Sequence, residues 1–222
     1  MGDRARAERG NETRQLIMAA AERLFAERGV HVVSNRQIGE AAGQANSAAV
    51  GYHFGSKTDL VRAVARLHAE EVERLRIQML PQVVGSGEVR DWVACLVRPI
   101  TDHMAALGSP TWYARFTAQV MSDPSLHQAT VEDSMSSPTV QALLEGLNRC
   151  LPQLPPMVHA ERGVMARHLI IQMCVERERA LAEGLQTFQA SWDQLATSLT
   201  DAITGIWLAP VTARDEQPMM PR

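Results

Sequence analysis

Lysine is almost missing from this chain. Of its 22 basic residues only Lys57 is Lys and the rest are Arg, a bias that genomic base composition produces without a functional cause. Charge of one sign is missing too. The net charge is −3, with eight basic and seven acidic side chains in residues 1–60 and fourteen and eighteen in the remainder. That weak asymmetry does not by itself announce a nucleic-acid partner. The three cysteines, Cys95, Cys150 and Cys174, are odd in number, widely spaced and form no CxxC pair. A disulfide framework, a zinc site and a redox motif are therefore excluded, and a reducing compartment is expected. No apolar run reaches the ~18 residues that span a bilayer, and the polar N-terminus offers no signal-peptide core. These absences predict a cytoplasmic protein without a membrane partner. Strand signals are also scarce, since β-branched alternation is confined to Val30–Val33. The expected class is all-α.

Catalytic signatures are lacking as well. There is no GxSxG, HExxH or P-loop. Acidic and imidazole side chains do not recur at the i, i+3 or i+4 spacings that a metal centre on several helices needs. No cofactor, metal or catalytic residue is assigned, and no enzyme is expected.

What is present is helical periodicity. Leu16, Ile17, Ala20, Ala21, Leu24 and Phe25 form one stripe between Thr13 and Arg28, closed by Gly29. Ser34 with Gln37 makes a capping box for a short second helix that carries Ile38, Ala41 and Ala42 and stops at Gly43. After the turn Gln44-Ala45-Asn46 a third short helix runs to about Phe54, and Gly55 breaks it. Ser56 and Asp59 then open a long helix whose stripe reaches Pro81, some 24 residues and ~36 Å. Further helical patterns follow from Glu88, with a kink or break expected at Pro99, and continue to Leu208. About nine helices are expected. Residues 1–12 read as a flexible Arg-rich arm, 13–57 as a helix-turn-helix unit, 58–208 as a larger helical domain, and 209–222 as a disordered tail.

The third helix is too short and too weakly apolar to be a core element, and such a helix is commonly displayed to a DNA major groove. Asn46, Ser47, Ala48 and Gly51 lie around its start and outer face, where amide and hydroxyl groups reach base edges or phosphates and small residues permit close approach. Tyr52 and His53 lie at its end, within reach of phosphate. Tyr52 suits core packing equally well, and His53 suits capping of its own helix. Phe54 reads as core. Lys57 lies at the N-terminus of the long helix and Ser34, Asn35 and Arg36 at that of the second, where free N–H groups favour phosphate.

These residues carry a resemblance. Ala-Ala-Glu-Arg-Leu-Phe-Ala-Glu-Arg-Gly at 20–29, Arg36-x-Ile38-x-x-Ala41-Ala42-Gly43, and Tyr52-His53-Phe54-Gly55-Ser56-Lys57-x-x-Leu60 are similar to the DNA-binding domain of the tetracycline-repressor family of bacterial regulators. The resemblance spans residues 13–67. It implies an all-α homodimer that binds a double-stranded operator and is released by a small effector held in the C-terminal domain. Gly51 stands where the family usually has an aromatic residue, and the turn from Gly43 to Asn46 is one residue longer than usual.

In the larger unit, Met104, Leu107, Trp112, Phe116, Met121, Leu144, Leu169 and Met173 are candidates for an apolar effector pocket, with Arg115 as a polar group. Ordinary helical core explains the same pattern. Arg115, His103 and His168 could each place a polar group in such a pocket, but exposure is the expectation for each, as it is for the charged run 176–179. Ile171, Trp192, Leu195, Leu199, Ile203, Ile206 and Trp207 suggest a homodimer interface, because the last helix is apolar over more than one face. The alternative is an all-α enzyme or sequestering module whose N-terminal bundle binds protein.

Overall fold

The computed structural model describes residues 2–44 and 48–212. Among these residues the chain is helical without strands, in ten helices. They are α1 (Gly2–Arg28), α2 (Asn35–Ala41), α3 (Ala49–Phe54), α4 (Lys57–Val83), α5 (Val89–Leu107), α6 (Tyr113–Ser122), α7 (Pro124–Met135), α8 (Pro138–Cys150), α9 (Pro156–Ala182) and α10 (Trp192–Leu208).

The local signals act as the sequence predicts at several ends. The Ser34 hydroxyl accepts from the Gln37 N–H while the Gln37 side chain accepts from the Ser34 N–H, closing the capping box. Ser56 accepts from the Asp59 N–H in the same way. Gly29, Gly43 and Gly55 end their helices with φ of +90°, +68° and +77°, a region that costs glycine nothing.

Two expectations change. The Arg-rich segment is not a separate arm, because α1 begins at Gly2. Arg, Ala and Glu are all strong helix formers, and no proline interrupts the turns before Thr13. The expected break at Pro99 does not occur, and α4 likewise runs through Pro81 to Val83. The predicted tail lies outside the described residues from 213 onward.

Two cores organise the molecule. The first gathers Ile17, Leu24 and Phe25 of α1, Ile38 of α2, Val50 and Phe54 of α3, and Leu60 and Val64 of α4. It is completed by Phe116 and Val120 of α6, and the rings of Phe25 and Phe116 stack at 6.3 Å. The second core joins Trp92, Val97 and Met104 of α5 with Leu143 and Leu147 of α8, Ile170 and Cys174 of α9, and Leu195, Leu199 and Ile203 of α10.

Buried charges brace the helix ends. Glu178 of α9 is 1% exposed and accepts from the N–H groups of Ala114 and Arg115 at the start of α6 and from the Arg115 side chain at 2.8 Å. Burial pushes its carboxyl up, and those hydrogen bonds and the guanidinium pull it back. Arg162 donates to the carbonyls of Trp207 and Ala209 at the end of α10. Arg177 donates to those of Gln189 and Ala190 ahead of α10. The run 176–179 is therefore not a solvated face. Glu176 and Arg179 pair at the surface, while Arg177 and Glu178 turn inward. Each residue advances a helix by about 100°, so positions three and four beyond Cys174 share its buried side.

On α8, Gly146 lies against the ring of Trp92, and a Cβ at that position overlaps the indole carbons. Gly146→Ala is expected to lower stability by about 1–3 kcal/mol through overpacking, even though alanine favours a helix interior by about 1 kcal/mol. Urea denaturation of the two proteins measures the difference.

Candidate nucleic-acid interface

Helices α2 and α3 stand nearly clear of the rest, held by their apolar undersides. Ala49 and Val50 point inward while Gly51 and Tyr52 point out. Tyr52 is 84% exposed, which settles its two readings in favour of the surface. Phe54 is buried, as expected of the residue closing an apolar stripe. Gly51 is open to solvent, with nothing within 4 Å of an added Cβ.

A residue missed in the sequence fixes α3 from behind. Arg14 of α1 donates to the carbonyl of His53 at 2.9 Å, and its guanidinium covers the ring of Phe54 at 4.2 Å. One side chain thus satisfies an orphan carbonyl at a helix end and adds a cation–π contact. The only sequence signal was an Arg one position beyond the start of the α1 stripe.

Lys57 opens α4 and donates to the carbonyl of Val30 at 3.2 Å, tying the two ends of the helix-turn-helix unit together. Its ammonium retains two further donors. Ser34 and Arg36 are exposed at the start of α2, where Arg36 pairs with Glu40 at 2.8 Å, and Asn35 is half-buried. Ala48 is exposed and caps α3 without a side-chain hydrogen bond. Asn46 and Ser47 lie outside the described residues. Beside this face a groove of about 370 Å³ between α1 and α4 is lined by Arg14, Arg62 and Arg66 against Asp59 and Glu70.

The effector-pocket candidates do not converge on one space. Phe116 and Trp112 belong to the first core, because α6 turns that side toward α1. Leu107 is 39% exposed at the end of α5. Met104 is fully buried in the second core, Leu169 and Met173 pack against its edge, and Met121 and Leu144 are half-buried. Arg115 is engaged by Glu178 and His103 lies inside at 5% exposure, contrary to expectation, whereas His168 is exposed as expected.

The dimer-interface candidates are largely spent within one subunit. Trp192, Leu195, Leu199, Ile203 and Trp207 are all at or below 9% exposure, packed in the second core with α5. The apolar breadth of α10 comes from sitting between α5 and α9. Ile171 and Ile206 are half-buried.

A family described as bacterial regulatory proteins, tetR family, matches residues 17–64, and one described as tetracyclin repressor-like, C-terminal domain, matches residues 94–205. An HTH-type transcriptional dual regulator, CecR of Shigella flexneri, is 39% identical over 92 residues, covering 36% of this chain and 40% of that protein. The match thus spans well under half of that relative's length. A TetR family transcription regulator of Marinobacter aquaeolei VT8 superposes with a TM-score of 0.60 at 14% identity, over 90% of this chain and 97% of its own. The TetR family transcriptional regulator PfmR of Thermus thermophilus gives 0.53 at 17% identity, over 85% and 96%. The multidrug binding protein EbrR, solved with imidazole, gives 0.52 at 19%, over 90% and 92%.

Replacing Arg14 with Ala removes both the cation–π contact and the bond to the His53 carbonyl. The expected loss is about 1–2 kcal/mol, with fraying confined to α3, read by amide hydrogen exchange. Protection at α3 equal to that of the parent protein contradicts the bracing role.

Proposed function

The chain belongs to the tetracycline-repressor family of transcriptional regulators, and from that premise we propose a ligand-responsive repressor. In this reading a homodimer binds a pseudo-palindromic operator, and a small apolar effector releases it. The observation that carries the DNA-binding part is Tyr52. A tyrosine on a six-residue helix, almost wholly exposed while its neighbours Val50 and Phe54 are buried, has no use in the fold. Five residues on, Lys57 opens a 27-residue helix, where ammonium, free N–H groups and helix dipole favour a phosphate.

Tyr52, His53 and Lys57 serve the backbone, with Ser34, Asn35 and Arg36 at the second N-terminus. Ala48 and Gly51 serve the bases, and the same role is proposed for Asn46 and Ser47. Gly51 allows close approach where a larger residue would stand off.

For dimerisation, α9 and α10 retain an unburied face. Val164 and Met165 of α9 and Leu208 of α10 are exposed, and Ala202 and Gly205 present small residues along the same helix. Small residues let facing helices approach closely, and isologous pairing of such faces gives a four-helix bundle. The effector reading is supported by the flexible side chain of Met173, which with Leu169 packs at the edge of the second core. A multidrug binding protein of the same fold holding imidazole agrees with a small organic ligand.

A gel-shift titration against the DNA upstream of the coding gene, at two salt concentrations with unrelated competitor, tests the main reading. Specific, salt-sensitive binding is expected. Lys57→Ala is expected to weaken it by roughly tenfold, uniformly across sequences, with a shallower salt dependence. Equal affinity of variant and parent overturns the phosphate role of Lys57. For the dimer, sedimentation equilibrium is expected to give two subunits, and Met165→Glu to shift the protein toward monomer. A monomeric parent protein contradicts that arrangement.

A further inference from the structure

Away from the DNA-facing surface, four polar side chains from four helices meet where the N-terminal bundle joins the larger body. They are Glu22 of α1, His68 of α4, His103 of α5 and Tyr113 of α6. His68 and His103 are 4% and 5% exposed. His68 Nδ1 and His103 Nε2 lie 2.8 Å apart, a hydrogen-bond distance that requires one ring to donate and the other to accept. His68 Nε2 faces Glu22 Oε2 at 3.2 Å without forming a well-aligned hydrogen bond. The ring of Tyr113 stacks on His68 at 4.1 Å and meets His103 edge-on at 5.2 Å.

This contact accommodates one donor and one acceptor, and not two donors. With both rings doubly protonated, two N–H donors point at each other across 2.8 Å in a site closed to water. Glu22 stands against His68 at 3.2 Å and can balance one charge on the pair, but not a second. Glu71 on α4 is engaged by the Arg74 guanidinium at 2.6 Å, and Arg76 on the same helix is itself cationic. From α6, the Tyr113 phenol is pushed up to about 12 by burial, and from α9 the Cys174 thiol likewise, so both stay neutral. Glu22 is the carboxylate that α1 supplies.

We propose that the His68–His103 pair is an acid-sensitive latch: proton uptake loosens the junction of α1 and α4 with α5 and α6, frees the N-terminal bundle to reorient, and lowers operator affinity. The operator part rests on the DNA-binding reading above, and the loosening does not. Burial first, and the neighbouring His68 second, hold His103 down to about 4, while Glu71 and Glu22 pull the other way. An imidazole released to water titrates near its usual value of about 6.5. The loosened state therefore takes up a proton between these limits that the latched state refuses. The latch is at full strength above the unperturbed value and is lost progressively as pH falls toward the lower one. Between pH 7.5 and 5.5 the ratio of loosened to latched subunits rises about tenfold. Two heads that swing independently no longer engage two half-sites at once, which lowers affinity.

Trp112 reports on this junction, since it precedes Tyr113 and packs against the first core, whereas Trp92, Trp192 and Trp207 lie in the second. Protein labelled with 5-fluorotryptophan is followed by fluorine NMR from pH 7.5 to 5.5. The Trp112 resonance is expected to shift or broaden while the other three hold. In His103→Gln, whose amide donates to His68 without taking a charge, Trp112 is expected to stay fixed. Operator affinity of the parent protein is expected to fall relative to that variant over the same range. The comparison cancels any pH effect that parent and variant share. If the three reference resonances show that His103→Gln misfolds, His68→Gln takes its place. A Trp112 signal that is unchanged in the parent protein, or that moves equally in parent and variant, overturns the latch. A latch seen by NMR with no operator binding at any pH overturns the DNA reading instead.

Discussion

Helix α6 is shared between two cores, and the rest of the molecule depends on that sharing. Helix α1, the two short helices α2 and α3, and the start of α4 do not enclose Phe25 by themselves. Phe116 and Val120 arrive from the other unit to cover it. Burying a phenylalanine contributes about 1.5–3 kcal/mol, so the N-terminal bundle draws an appreciable part of its stability from outside its own sequence segment. The same helix is held at its N-terminus by Glu178 of α9. A displacement of α9 therefore reaches α1 through one rigid element of ten residues, without a loop in between.

The buried charges follow from the same geometry. A helix end leaves N–H or C=O groups without partners, and in a bundle whose helix ends meet other helices those groups lie away from water. Glu178 answers the start of α6, while Arg162 and Arg177 answer carbonyls on either side of α10. Each charge is buried because it completes a backbone valence there, and losing one leaves an unpaired group behind. The junction of Glu22, His68, His103 and Tyr113 is built differently. It satisfies no helix terminus, and its bonding is incomplete.

The helices and their order were legible because apolar periodicity and capping residues are local. Ser34 with Gln37, Ser56 with Asp59, and the three terminal glycines act within four residues of themselves. The helix-turn-helix unit was legible for the same reason, down to the inward Phe54. Partnership across the chain was not. Arg115 and Glu178 are 63 positions apart, and His68 and His103 are 35 apart. Nothing in their own neighbourhoods marks them as buried. The breadth of the apolar surface on α10 was read correctly and its occupant was not, since periodicity tells which residues are hidden and not by what. Trp112 and Phe116, read as pocket candidates, pack instead against the N-terminal core, whose nearest member Val64 lies about 50 positions upstream.

Lys57 has a chemical consequence apart from any phosphate. It carries the chain's only ε-amine, and it sits at the first residue of α4, between the short helices and the long one. Reagents and enzymes that read lysine alone have a single side-chain address in this protein. A lysine-specific protease divides it once, at the boundary between the exposed helix pair and everything that follows. An acyl group placed on that nitrogen removes a charge and a donor to Val30 in one step. Arginine composition, which carried no meaning at the level of the whole sequence, thus leaves the amine chemistry of the molecule concentrated at one hinge point.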